Sequence, residues 1–280
     1  MSGRAPLAEP AAEGSLERLR EAVQFVASQA AAGVLVVECL WVGWTLLGND
    51  PRFPVGVDYR IARDAAARWL AGGTFYLPSQ LAGPYEVFAP PGAPANVMYP
   101  PVALWLFVPF VYLPAWLWWA IPISAVAMAF RRLRPARWTW PIVALLWLYP
   151  RAPEAIMNGN PVIWALGAVS LGVAYGAPAA LALLKPTLAP FALWGASHRM
   201  WWFILGAGML AAVPFGTMWF DYARVVTNAR APTAYLVHDY PLMTAPLLAW
   251  LGRDGRPLSA IWTRLPSPPG GSTATPEASG

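Results

Sequence analysis

Long apolar stretches, broken at short charged or proline-bearing boundaries, make up most of this chain, and their lengths decide its class. About 20 apolar residues in a helix cross the roughly 30 Å hydrocarbon core of a bilayer. Ala22 to Leu47 meets that length and follows SLERLRE, whose arginines predict a cytoplasmic start. Residues 48–97 then form a polar loop far longer than a bundle connection needs, and loops of that kind usually carry function. From Met98 the chain re-enters as MYPPVALWLFVPFVYLP and AWLWWAIPISAVAMAF, two short segments pinched at Leu113-Pro114. Further apolar segments run over 138–150, 161–175, 177–195 and 200–220, with a weaker one at 241–251, about seven or eight in all by the length a span requires. The expected fold is all-α: a polytopic transmembrane helical bundle with a long first extracytoplasmic loop.

Inside that loop the spacing predicts an amphipathic helix over Tyr59 to Leu70, lying along the membrane surface. Arg60, Asp64 and Arg68 share one face at i, i+4 spacing, and Ile61, Ala62, Ala65, Ala66 and Trp69 lie elsewhere. Three parts are expected: a disordered cytoplasmic N-terminus (1–20), a transmembrane domain (21–252) and a disordered tail (253–280). The tail's PSPPGGSTATPEASG run from Pro266 holds no core-forming residue. Strict alternation from a cytoplasmic start puts RRLRPAR (131–137) outside and SHR (197–199) inside, whereas the positive-inside rule wants both inside. Either one short segment is re-entrant, or the arginine cluster serves something extracytoplasmic such as a phosphate.

Composition narrows the class. The chain is 58% hydrophobic and 12% charged, against roughly 25% charged in a soluble domain, so a soluble fold is not expected. The 17 Trp and 31 Pro agree, since Trp favours the membrane interface and Pro is tolerated in spans whose freed backbone groups find partners in a bundle. The net charge of +5 sits in short clusters at segment ends rather than in one patch, which reads as topology and not as nucleic-acid binding. The single cysteine, Cys39, excludes an intrachain disulfide framework and a cysteine-based metal site. No early apolar stretch with a small-residue cleavage site marks a secretory signal. Phosphate-loop, His-Glu-x-x-His and Gly-x-Ser-x-Gly patterns are absent from the sequence.

The most informative stretch is VGVDYRIARDAAARWLAGGTFYLP followed by NVMYPPVALWLFVPFVYLPAWLWW. Its order is an Asp after the first span, an amphipathic helix, Gly-Gly-x-x-x-Tyr, Tyr-Pro-Pro opening the next span, and a Leu-Pro turn before a Trp-rich span. NGNPVIWALGAVSLG (158–172) heads a later span, and ALALLKPTLAPFALWGASHRMWW carries a Lys-Pro pair. In that order, over about residues 20–220, the chain resembles glycosyltransferase family 87, the polyprenol-phosphate-mannose-dependent mannosyltransferases of the GT-C class. The resemblance implies extracytoplasmic transfer of a sugar, by family default mannose, from a polyprenyl-phosphate donor to a hydroxyl of a glycolipid or glycan acceptor. It implies no cofactor and no metal, membrane lipid as surroundings, and no nucleic-acid partner. Family members are usually longer, so C-terminal helices that help enclose the donor are expected to be missing here.

The family's loop acid falls on Asp58, whose implied role is general base: a hydroxyl attacks poorly until its proton has somewhere to go. The position before the loop helix also suits Asp as an N-cap, and one residue can serve both ends. Arg60 and Arg63 are candidate donor-phosphate contacts, as are His238 beside Asp239, Tyr99 at the head of a span, and Lys185 within an apolar segment beside Pro186, for which a structural ion pair is the alternative. Asp64 is a possible second acid, with a solvated Arg60-Asp64-Arg68 ladder as the alternative. Glu38, about 14 Å below the outer end of its span, is another candidate acid because an ionisable group at that depth is costly. The rival class is a non-catalytic membrane protein that binds polyprenol phosphate, as transporter or accessory subunit. A transporter built on inverted repeats would show matching broken spans in its halves, and the long loop occurs once.

Overall fold

The computed structural model describes residues 55–87, 96–230 and 238–257, together with scattered positions between 18 and 40, all of them helical. The predicted first span and Glu38 therefore fall largely outside the described residues. What is described is helical almost throughout; a parallel pair of two-residue strands, β1 (Tyr85–Glu86) and β2 (Ala229–Arg230), is the exception.

The loop is not irregular. Helix α1 (Val57–Leu70) begins two residues before the predicted start, because Gly56 takes a left-handed conformation (φ 71°) that turns the chain into it. Asp58 thus lies in the first turn and is not the N-cap, and no side chain caps this helix. Ala62, Ala65 and Ala66 bury the inner face. After α1, Arg68 donates to the carbonyls of Thr74 (2.7 Å) and Phe75 (2.8 Å). Asp64 pairs instead with its neighbour Arg63 at 2.8 Å. The predicted Arg60-Asp64-Arg68 ladder is replaced because the Gly72-Gly73 turn brings loop carbonyls beside Arg68. Helix α2 (Pro78–Ala82) carries Gln80, fully buried, whose amide exchanges hydrogen bonds with the backbone of Val97.

The segment after Tyr99 forms a 3-10 turn (Pro101–Ala103) and two short helices, α3 (Leu104–Phe107) and α4 (Pro109–Tyr112), and bends by 119° into α5 (Leu117–Leu133). The predicted pinch at Leu113-Pro114 is this bend. The rest of the chain is α6 (Thr139–Trp147), α7 (Arg151–Asn158), α8 (Val162–Tyr175), then α9 (Ala189–Ala192), α10 (Arg199–Ala212), α11 (Met218–Asn228) and α12 (Tyr240–Leu251). The expected continuous apolar segment over 177–195 is instead a chain of tight turns: 3-10 helices Ala177–Leu184, Pro186–Leu188 and Leu193–Gly195 around α9. Pro178, Pro186 and Pro190 each remove a backbone donor. Close packing adds to this: a Cβ on Gly172 would stand 2.5 Å from that of Ala179.

Helices α5, α8 and α12 run in the same direction and so give the molecule two ends. At one end, the indoles of Trp118 and Trp119 at the start of α5 donate to the carbonyls of Gly159 (2.7 Å) and Ile156 (2.6 Å), just before α8. At the other, Arg132 and Leu133 finish α5 beside Val173 and Ala174 of α8 and Trp250 of α12. His198 packs on Gly176 at that second end. RRLRPAR and SHR therefore share one end. The segment 101–112 does not reach it: Tyr99 meets Asn160, and Phe110 accepts from the Tyr59 hydroxyl at 3.4 Å. Both ends of that segment stay beside α1, at the Asp58 end of the bundle.

Among the described residues no single helix is long and apolar enough to cross a membrane. Three bent pairs pass that test together, Pro101–Tyr112 with Leu117–Leu133, Arg151–Asn158 with Val162–Tyr175, and Arg199–Phe215 with Met218–Asn228. The beginning of the expected tail is ordered, since Arg253–Gly255 forms a 3-10 turn and the Trp138 indole donates to the carbonyl of Arg256 at 2.8 Å.

Candidate functional site

Two glycines build the floor of the site. Gly56 donates its N–H to the carbonyl of Met157 at 2.7 Å, docking the start of α1 onto α7. Gly159 ends α7 with φ 64°, and a Cβ there would lie 2.7 Å from the Trp119 ring and 2.9 Å from Tyr59 Cβ. The NGN turn can thus slide under α1, which carries Asn160 to Asp58.

The Asn160 amide is oriented by backbone. Its Oδ1 accepts the N–H of Val162 at 2.9 Å, one of the donors that the start of α8 leaves unsatisfied, and also faces the Tyr99 hydroxyl at 3.4 Å. Nδ2 is then the atom left to face Asp58, and it donates to Oδ2 at 2.6 Å. One oxygen of the carboxylate is held, and among the described residues Oδ1 has no hydrogen-bond partner. Burial pushes the Asp58 carboxyl above the usual carboxylate range. The Asn160 hydrogen bond and the charges of Arg151 and Lys185 pull it back, while Glu154 adds to the rise.

Beside Asp58 lies a second group of charges. Asp239, buried at the start of α12, accepts from Arg151 Nε at 2.9 Å and pairs with Lys185 Nζ through its other oxygen. His238 Nε2 stands 3.3 Å from the same carboxylate and Arg151 also reaches Glu154 at 3.0 Å. Lys185 gets there because a 3-10 helix rises about 2.0 Å per residue against about 1.5 Å in an α-helix. The eight residues Ala177–Leu184 climb about 16 Å beside the roughly 21 Å of α8. At Lys185 the backbone is extended (φ −120°, ψ 95°), so the helix stops and the ammonium turns to Asp239.

An apolar cavity of about 400 Å³, walled by α3, α5 and α8, has Lys185 and Trp164 in its lining, together with Tyr99, which faces Asn160. Among the described residues the Trp164 indole N–H has no hydrogen-bond partner. The arrangement offers a carboxylate with one oxygen unpartnered among the described residues, a cation, Lys185, in the lining of an apolar slot, and room for a chain-like ligand.

Of the residues singled out in the sequence, the structure brings together Asp58, Tyr99, Lys185 and His238. It does not bring Arg60, Arg63 or Asp64 to them. At about 100° per residue, these lie roughly 200°, 140° and 240° round α1 from Asp58, on the far face. Arg60 and Asp64 are exposed there. Lys185, read from sequence as a donor-phosphate contact or a structural ion pair, forms an ion pair with Asp239. Sequence reasoning missed Arg151, Asn160 and Asp239 as members of the site. The NGN turn heading an apolar segment was a signal for Asn160, and the only charges between the segments at 138–150 and 161–175 are Arg151 and Glu154.

The fold and this cluster define an all-α protein with a charged, partly buried site at one end of its bundle. No family model, no curated protein and no solved structure matches the chain.

Proposed function

We propose that this chain is a membrane glycosyltransferase that moves a sugar, by the family-87 resemblance mannose, from a polyprenyl-phosphate donor to a hydroxyl of a glycolipid or glycan acceptor. The observation that carries the reading is the chain of contacts from Asp58, one carboxylate oxygen held by Asn160, through Asn160 to Tyr99, which with Lys185 lines an apolar cavity. The bent helical pairs and the many exposed large apolar residues, including Trp105, Ile121, Phe203, Leu210 and Phe220, support placement in a bilayer. In that placement 101–112 is re-entrant, the Asp58 end is extracytoplasmic, and α1 lies at the surface.

Asp58 Oδ1 takes the proton of the acceptor hydroxyl as that oxygen attacks the anomeric carbon. The bond from that carbon to the phosphate oxygen breaks, its electron pair leaves on the phosphate, and the configuration inverts. The prenyl chain occupies the apolar cavity, Lys185 and Arg151 supply the positive field that stabilises the departing phosphate, and the His238 ring can add a hydrogen bond to it. For the phosphate to meet Lys185 directly, Asp239 has to share or yield its ion pair. Arg60, Arg63 and Asp64 take no part.

The test is transfer from a defined polyprenyl-phosphate sugar by the purified full chain. Asp58→Asn is expected to lower turnover by about two to four orders of magnitude, the usual worth of a general base, while the protein still elutes as a folded species. Unchanged turnover in the variant excludes the base. A wild-type chain that binds the donor without turnover favours the non-catalytic lipid-binding alternative.

A further inference from the structure

At the end of the bundle opposite Asp58, a concavity of about 360 Å³ is lined by Met128, Arg131, Arg132, Arg134 and Tyr175. Among the described residues its lining holds three guanidinium groups and no acid. Among the described residues none of the three arginines makes an ion pair. All three are exposed. The C-termini of α5 and α8 meet here, and each contributes about half a negative charge. Together they offset about one of three positive charges, and Asp254 and Arg253, which line the adjoining hollow with Arg132, add one charge of each sign, so a net attraction for anions is left over.

The loop carrying these arginines is held in place. Leu133 is buried between Arg132 and Arg134, and Arg134 takes a left-handed conformation (φ 48°) that costs a non-glycine residue energy. Its carbonyl accepts from Gly255 at 3.3 Å, and Ala136 donates to the carbonyl of Gly252 at 2.7 Å. The turn is thus tied to the end of α12, and the arginines are presented from a fixed backbone. Leading up to them on α5, Ile121, Ser124 and Met128 are exposed at i, i+3 and i+7, one stripe of the helix that continues to Arg131 and Arg132.

We propose that this concavity binds the phosphate headgroup of an anionic phospholipid, with the acyl chains lying along the Ile121–Met128 stripe. Charge complementarity selects the headgroup, and the apolar stripe ending at the arginines selects a lipid over a free anion. The inference rests on the membrane placement in the preceding reading but not on glycosyl transfer. In that placement the arginines face the cytoplasmic leaflet, whose anionic lipids attract basic residues close to the membrane surface.

The experiment measures binding of phosphatidylglycerol to the detergent-purified full chain by native mass spectrometry. Phosphatidylcholine with the same acyl chains and inorganic phosphate are run as separate probes. Phosphatidylglycerol is expected to bind and both probes to bind far more weakly. R131Q/R132Q/R134Q is expected to weaken phosphatidylglycerol roughly a hundredfold, from a factor of about five per basic residue at an anionic surface. R131K/R132K/R134K, which keeps the charge, is expected to retain most of the affinity and serves as the control for folding. Asp58→Asn is expected to bind phosphatidylglycerol as wild type does, so failure of the transfer reaction and failure of this site are told apart. Equal binding of phosphatidylcholine, full competition by inorganic phosphate, or unchanged affinity in the glutamine variant overturns the proposal.

Discussion

The Asn160 side chain bridges the start of α8 to the loop helix, accepting the Val162 N–H at 2.9 Å and donating to Asp58 Oδ2 at 2.6 Å. A helix end thereby sets the orientation of an amide, and the amide sets which oxygen of a carboxylate stays available. The consequence is a carboxyl group whose pKa burial raises, while one hydrogen bond and the nearby cations pull it back down.

Removing that bond gives a signed pH effect. The Asn160 amide favours the charged form of Asp58, so Asn160→Ala raises its pKa further. A base works only when deprotonated, so the acidic limb of the rate profile moves to higher pH. Turnover is expected to fall most at the acidic end and to recover partly in alkaline buffer. A kcat/KM profile with an unshifted acidic limb counts against the arrangement.

Asp58 is also expected to lower the stability of the folded chain. Its folded-state pKa lies above the ordinary value of 3.8, so the folded form holds the proton more firmly than the unfolded one. Stability therefore falls as pH rises through that interval and stays lower above it. Asp58→Asn should unfold at the same or a higher temperature than wild type near neutral pH, with the gap closing below the carboxylate range. A lower melting temperature at neutral pH in the variant contradicts this.

Gly159→Ala tests the docking of the NGN turn. The added methyl meets Trp119 at 2.7 Å and sits on a backbone of positive φ. Left-handed strain and overpacking together are expected to destabilise by on the order of 3 kcal/mol. Thermal unfolding checks the loss, and Asn160 is expected to lose its hold on Asp58 as well.

Asp239 joins two cations, so single and double changes should not add. Asp239→Asn leaves Arg151 and Lys185 without their carboxylate, and breaking a buried pair from one side costs about 3–5 kcal/mol. Asp239→Asn combined with Lys185→Met should be more stable than the sum of the two single losses, because the unpaired ammonium is gone. A double-mutant cycle in chemical denaturation measures the coupling; additivity within error would show that the pair contributes no mutual stabilisation.

The sequence by itself determined the all-α class, the loop helix and the break at Leu113-Pro114, because apolar runs, helical spacing and proline act within a few neighbouring residues. Where local rules competed it was less informative: three prolines and tight packing turned the apolar stretch over 177–195 into 3-10 turns, and Gly56 moved the start of α1 so that Asp58 lies inside the helix. Only the tertiary structure decided which charges meet. Asp58 and Asn160 are 102 residues apart, and Lys185 and Asp239 are 54 apart. No local pattern encodes such pairings; they follow from α5, α8 and α12 starting at one end and from the extra rise of a 3-10 helix. The same packing set RRLRPAR beside SHR, because 101–112 turns back next to α1 and α5 alone carries the chain to the other end.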